Sequence, residues 1–251
     1  MKDMAFNSIK AGIRYGICWI REENEFKVDR ILRLVTPFLY FFVPALIWYW
    51  LGFSRSLEYF FVVHFISLLF YPYALFDRVY YQFRHKGALP EQLRPLNIFL
   101  YFYIGFLIWS VIWVWDLIPY ILIGFIIKPS LIGILRSLPF FFLSYTYGFF
   151  VNLFFASLTF YTEHSEALYR SFYLIEDILA GSIIPIPILR KVHWILNFLP
   201  FQCRCGLVWD VYLGKNILKA FLLYLFWISF FGILSFIIWK KGERRIEIFG
   251  V

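Results

Sequence analysis

Charge is scarce in this chain: Asp, Glu, Lys and Arg make up 16% of its 251 residues, against about 25% in soluble domains. Cysteine is scarcer still, and three residues cannot build a disulfide scaffold. Compact catalytic signatures are missing too. There is no His-Glu-x-x-His pair, no Gly-x-Ser-x-Gly elbow and no phosphate loop ending in Gly-Lys-Ser/Thr. Gly214-Lys215-Asn216 has neither the hydroxyl nor the upstream glycine spacing, so the usual binding and splitting of a nucleotide is excluded. What the chain has instead is apolar surface. Hydrophobic residues make up 62% and aromatics 24%, with 33 Phe, 18 Tyr and 10 Trp. The mean hydropathy of +0.72 excludes both a disordered chain and a soluble enzyme. The net charge of +8 would suggest nucleic acid in a soluble protein. Here the cations sit between long apolar runs, which reads as membrane topology and no nucleic-acid partner. The composition predicts an all-α polytopic membrane protein.

The first 33 residues carry seven cations: Lys2, Lys10, Arg14, Arg21, Lys27, Arg30 and Arg33. No signal-peptide core with a small-residue cleavage site comes early, so no cleaved signal is expected. Phe6, Ile9, Ile13, Ile17 and Ile20 recur at helical spacing, with Asn7, Lys10, Arg14 and Arg21 on the other side. Residues 1–33 are therefore expected to form a cytoplasmic amphipathic region lying at the inner membrane surface. A soluble helix packed on a neighbouring domain is the alternative.

About 20 residues are needed to cross the hydrocarbon. Leu34–Phe53, Leu57–Phe76 and Leu222–Trp239 each qualify. The middle reads in two ways. If Trp115-Asp116 is a tight outer turn, three spans follow, Asn97–Trp115, Leu117–Leu135 and Leu138–Phe160, giving six with both termini cytoplasmic. If the two runs are long tilted helices, the total is five and the C-terminus lies outside. The positive-inside tally is the same in both cases, 17 of the 24 Lys and Arg. The cluster Lys240-Lys241-Gly242-Glu243-Arg244-Arg245, directly after the last span, favours six.

Residues 161–216 are punctuated by Gly181, Pro185, Pro187, Pro200, Gly206 and Gly214. This pattern predicts short helices, Glu166–Leu179 and Ile188–Leu199, joined by breaks. They would form either an extracytoplasmic re-entrant region, shielded by protein, or interfacial helices on an outer loop.

Candidate metal ligands are few. Glu163, His164 and Glu166 cluster, but they read as a solvated helix start. His64 lies inside the second span, where a hydrogen bond to a neighbouring helix is expected. Cys203 and Cys205, one residue apart, are read as small semi-buried residues without a disulfide. Glu176 and Asp177 either face a pathway or are satisfied on a helix surface. No catalytic, cofactor-binding or metal residue is assigned.

The order of features resembles the membrane subunit of type-2 ATP-binding-cassette (ABC) exporters, in particular the roughly 260-residue permeases without a fused ATPase. The match rests on Ala180-Gly181-Ser182-Ile183-Ile184-Pro185, then Leu199-Pro200-Phe201, then Leu213-Gly214-Lys215. It rests also on Lys86-Gly87-Ala88-Leu89 followed by Leu93-Arg94-Pro95-Leu96. Ala180 stands where that family usually has Ser, Val208 where a proline is usual, and Gln82-Phe83-Arg84-His85 replaces an acidic lead-in. The resemblance implies a non-enzymatic permease subunit in the cell (plasma) membrane that lines a substrate pathway as a dimer. It implies a second permease chain, same or related, and cytoplasmic ABC ATPase subunits that hold the ATP and Mg, with no cofactor on this chain. Membrane lipids would surround it. Arg84, Gly87, Leu89, Glu91, Leu93, Arg94 and Pro95, within the loop 77–97, would couple to the ATPase. Gly181, Pro185, Pro200, Phe201 and Gly214 would form a re-entrant gate. An intramembrane enzyme acting on lipid-linked substrates, or a non-transporting anchor of an ATPase complex, are the competing readings.

Overall fold

The computed structural model describes residues 2–24, 39, 41–69, 74–86, 97–112, 114–192 and 194–249. Among them every regular element is helical. In chain order these are α1 (Lys2–Asn24), α2 (Phe41–Trp50), α3 (Ser56–Leu69), α4 (Ala74–Lys86), α5 (Ile98–Ile112), α6 (Val114–Ile127) and α7 (Leu131–Leu158). Then come α8 (Ser165–Leu179), α9 (Ile186–Val192), two 3₁₀ turns at Trp194–Asn197 and Pro200–Cys203, α10 (Gly206–Tyr212) and α11 (Ile217–Phe249).

Side-chain chemistry sets several of these boundaries. Asn97 caps α5, its Oδ1 accepting from the Leu100 N–H at 3.2 Å. Ser130 caps α7 in the same way, accepting from Gly133 N at 3.2 Å. Between α6 and α7 the helix breaks completely. Pro129 disfavours a helical conformation at the residue before it, and Lys128 turns to a φ of +52°. The expected continuous span Leu117–Leu135 therefore does not form. Nor is Trp115-Asp116 a turn: both residues lie within α6.

Among the described residues two helices are long and apolar enough to cross a membrane, Leu131–Leu158 and Ile217–Gly242. They differ in surroundings: 61% of the apolar window of the first is buried, against 17% of the second. So α7 is the central post, and α11 packs on it along one stripe and turns Leu218, Phe226 and Ile233 outward. The two run parallel. Phe140 meets Tyr224, Tyr147 meets Phe231 and Phe160 meets Trp239, with ring centroids 6.1, 6.0 and 5.1 Å apart.

Parallel packing requires the chain between them to return along the bundle, and α8 begins that return. It runs antiparallel to α7, with Tyr169 and Tyr173 bonded to Asn152 and Tyr147 to Glu176. The bundle thus has two ends. At one end Arg170 pairs with Asp77 at 2.9 Å; at the other, Ser130 N donates to the Tyr212 hydroxyl at 2.7 Å. Residues 161–216, expected together in an extracytoplasmic region, do not all gather at one end of the bundle: α8 starts beside Asp77, whereas Tyr212 lies beside Ser130. With its flanking residues α8 carries the chain from beside Asp77 to Ile183, whose carbonyl accepts from Trp48 Nε1 at 2.8 Å.

α1 packs parallel to α5 through small residues. Ser8 Oγ accepts from Asn97 N at 2.8 Å. A Cβ added at Gly12 or Gly16 would lie 2.7 Å from the carbonyl oxygens of Tyr101 and Gly105. Phe6, Ile9, Ile13 and Ile17 point outward and are exposed. α1 is therefore fixed to the bundle by one face and keeps its apolar stripe free of the described chain. Tyr49 and Trp50, at the end of α2, are also exposed.

Candidate functional site

The stretch from Ala180 to Gly214 is built as a plug at the Ser130 end of the bundle. It begins where α8 stops. Gly181 takes a φ of +98°, a region open to glycine but rarely to other residues. The Tyr59 hydroxyl of α3 donates to the Gly181 carbonyl at 2.9 Å and accepts from the Ile186 N–H at 3.1 Å. Pro185 lies immediately before α9, where its missing N–H and fixed φ suit a helix start.

From α9 the chain turns inward. Pro200 opens the second 3₁₀ turn, and Phe201 packs on Phe172 of α8 at 5.4 Å between ring centroids. Cys203, Arg204 and Cys205 follow and are buried. The two cysteines form no disulfide; burial pushes the Cys203 thiol well up. Ser144 of α7 donates to the Arg204 carbonyl at 2.7 Å. Then α10 climbs back toward the end of the bundle, all seven of its residues buried. It lies antiparallel to α3, with Trp209 against Tyr59 and Tyr212 bonded to Glu58 at 2.5 Å. Gly214, at φ +75°, ends the plug where Arg136 of α7 crosses it.

Two ion clusters fasten this plug. Arg204 pairs with Asp177 and reaches Glu176 Oε2 at 3.6 Å, both on α8. The Arg204 and Glu176 side chains are 4% and 0% exposed, so the pair is cut off from water. Tyr147 donates to the other oxygen of Glu176 at 3.3 Å. Arg190 of α9 binds the Asp210 carboxylate at 2.7 Å and donates to Gln202 Oε1 at 3.1 Å. Gln202 in turn donates to the Leu179 carbonyl at 3.0 Å, satisfying the last turn of α8. Burial pushes the Asp210 carboxyl above the usual range, and the Arg190 charge opposes that shift.

The five expected gate residues therefore all fall in this one region. Gly181, Pro185 and Gly214 form its backbone corners, and Pro200 and Phe201 its inward turn. The residues expected to couple to an ATPase, Gly87, Leu89, Glu91, Leu93, Arg94 and Pro95, lie outside the described residues, and Arg84 is on α4. The expected hydrogen bond of His64 is not made among the described residues; its ring stacks on Phe60 at 5.7 Å instead. Glu163 and His164 are exposed, and no group of three metal-ligating side chains gathers among the described residues. Sequence reasoning missed Tyr59, Arg190, Gln202, Arg204 and Asp210. No local signal marks Tyr59 or Gln202, whereas a charge inside an apolar segment marks the others.

Comparison of the chain with known protein families, with curated proteins and with solved structures finds no match in any of the three.

Proposed function

We propose that the chain is the membrane-spanning subunit of an ABC exporter, working as a dimer and driven by separate cytoplasmic ATPase subunits. The observation that carries this reading is the plug: a broken, ion-paired segment folded back into one end of a helical bundle. Broken backbone at membrane depth is tolerated only where protein or a water-filled cavity surrounds it, and discontinuous helices of this kind build transporter pathways.

On this reading the Asp77 end is cytoplasmic and the Ser130 end faces outward. Six crossings follow, though not those expected from hydropathy: α2, α3 with α4, α5 with α6, α7, α8 and α11. Both termini remain cytoplasmic in the cell membrane. The cations of the loop 77–97 and the cluster Lys240–Arg245 then lie on the inner side, in keeping with the positive-inside rule. α9, the second 3₁₀ turn and α10 are the re-entrant elements before the last crossing. The acids at this site are engaged by Arg190 and Arg204 rather than converging on a cleft, which is why a transport role is preferred to catalysis.

The loop after α4 would meet the ATPase through Leu89 and Leu93, with Glu91 and Arg94 as polar contacts. Purification from the native membrane should bring down a nucleotide-binding subunit, and Arg94→Glu should reduce its yield without impairing insertion. A purified chain that hydrolyses ATP alone, or an Arg94→Glu chain that retains full ATPase yield and stimulation, would contradict the proposed coupling.

A further inference from the structure

Beside the plug, and separate from its ion clusters, α3, α6 and α7 enclose a pocket of about 470 Å³. That volume lies within the range of ligand sites. Its walls are apolar, with Phe61 and Phe65 on one side, Gly124 and Phe125 on the second, Ile134 and Phe141 on the third. From Leu131 at its mouth to Phe141 in its depth, α7 rises ~15 Å. Next to the mouth, Phe125, Ile126, Leu131 and Ile132 are all about 70% exposed, an apolar rim open to the side of the bundle. An apolar chain can therefore enter laterally.

Three polar side chains line the pocket, and two are already engaged. Ser137 Oγ donates to the Ile134 carbonyl at 2.9 Å. The Tyr212 hydroxyl donates to Glu58 and accepts from Ser130 N. The third is Lys128, exposed at the rim, with which no carboxylate among the described residues pairs. Its backbone is also unusual. Lys128 holds a φ of +52° and closes α6 through its N–H to the Gly124 carbonyl at 2.9 Å. Glycine or asparagine normally fills such a helix end. A lysine held at a strained position, with its ammonium beside an apolar slot, points to use of the side chain.

We propose that this pocket holds an acyl chain of an anionic membrane phospholipid, with the lipid phosphate against Lys128. The slot supplies the apolar contact and Lys128 the single complementary charge. A phospholipid without net charge fits the slot equally well and gains less at the rim. The proposal requires that the chain lie in a bilayer and not that it export anything, so it stands apart from the transport reading.

The full chain, purified in detergent, is titrated with dioleoyl phosphatidylglycerol or dioleoyl phosphatidylcholine and observed by native mass spectrometry. The wild type should retain one phosphatidylglycerol with a preference of roughly fivefold over phosphatidylcholine, the worth of one lysine at an anionic surface. Lys128→Gly suits the backbone better than lysine and should fold; it should bring the two lipids to parity. Lys128→Arg should keep the preference. Ile134→Trp fills the slot from α7 and should abolish retention of either lipid, and Gly124→Val narrows it from α6 should the tryptophan impair folding. Equal retention of the two lipids by the wild type, or an undiminished preference in Lys128→Gly, would overturn the assignment. So would full retention in a folded slot-filling variant.

Discussion

The hydroxyl of Tyr59 holds both sides of the break at Gly181, donating to the Gly181 carbonyl at 2.9 Å while accepting from the Ile186 N–H at 3.1 Å. Gly181 and Ile186 are buried, so neither backbone group can turn to water. One side chain on α3 thus replaces hydrogen bonds that a continuous helix would have made. Tyr59→Phe keeps the ring against Trp209 and removes only this link. Leaving a buried backbone group unsatisfied costs about 1–3 kcal/mol, and a fall in thermal stability of that order should be measurable in detergent. Gly181→Ala should be worse, since its methyl would strike the Tyr59 hydroxyl at a φ that alanine rarely adopts.

The buried arginine makes a second prediction. Arg204→Met leaves Glu176 fully enclosed and takes away its buried cation. Breaking a buried pair from one side costs roughly 3–5 kcal/mol. Adding Glu176→Gln to Arg204→Met should recover part of that loss, because the stranded charge is gone; coupling of about 1–3 kcal/mol is usual for groups in contact. Additive losses in the double variant would show that Arg204 acts through packing alone. Thermal unfolding of the four proteins, followed by circular dichroism, decides it.

The contact of α1 with α5 predicts a size limit. Gly12 and Gly16 let the helices approach until the positions of their absent Cβ atoms lie 2.7 Å from backbone carbonyl oxygens. A carbonyl cannot rotate away within a helix, so the helices must separate. Gly12→Leu and Gly16→Leu should each destabilise the protein by about 1–3 kcal/mol, and should expose the N-terminal segment to protease. Ile13→Leu, on the outward stripe, should change neither. Equal protease resistance in all three variants would mean that α1 is not held through its glycine face.

Backbone punctuation was the part of this fold most legible in the sequence. Gly181, Pro185, Pro200 and Gly214 mark real corners because each restricts or frees the backbone locally, and the predicted helix Glu166–Leu179 differs from α8 by one residue. The middle of the chain was less legible. Helices apolar on every side have no periodicity to locate their ends, so Asp116 was given the weight of a turn although it lies within α6. The expected span Leu117–Leu135 runs through Lys128-Pro129, where the helix in fact ends. Long-range pairing was not legible at all: Arg204 meets Glu176 and Asp177, 28 and 27 positions away, only because the chain doubles back. The parallel course of α7 and α11 follows from the same reversal, and no local pattern encodes it.

That reversal gives the last prediction. Hydropathy alone puts Thr162, Glu163 and His164 on the outer side, in a loop after a crossing that ends at Phe160. The ion pair of Arg170 with Asp77 at 2.9 Å ties the start of α8 to the end of the bundle that also holds Asn97 and the base of α1. Under the proposed topology residues 162–164 face the cytoplasm, and Lys215, beyond the plug, faces outward. Single cysteines at His164 and Lys215, both exposed in the fold, should separate in intact cells. Cys18 is exposed as well, so it is first replaced by serine; Cys203 and Cys205 are buried and can stay. A membrane-impermeant maleimide should label the Lys215 position and spare His164, which should react only after permeabilisation. Labelling of both from outside would restore the outer loop and remove α8 from the crossings. Labelling of the His164 position alone from outside would place the plug on the cytoplasmic side and reverse the assignment of the two ends.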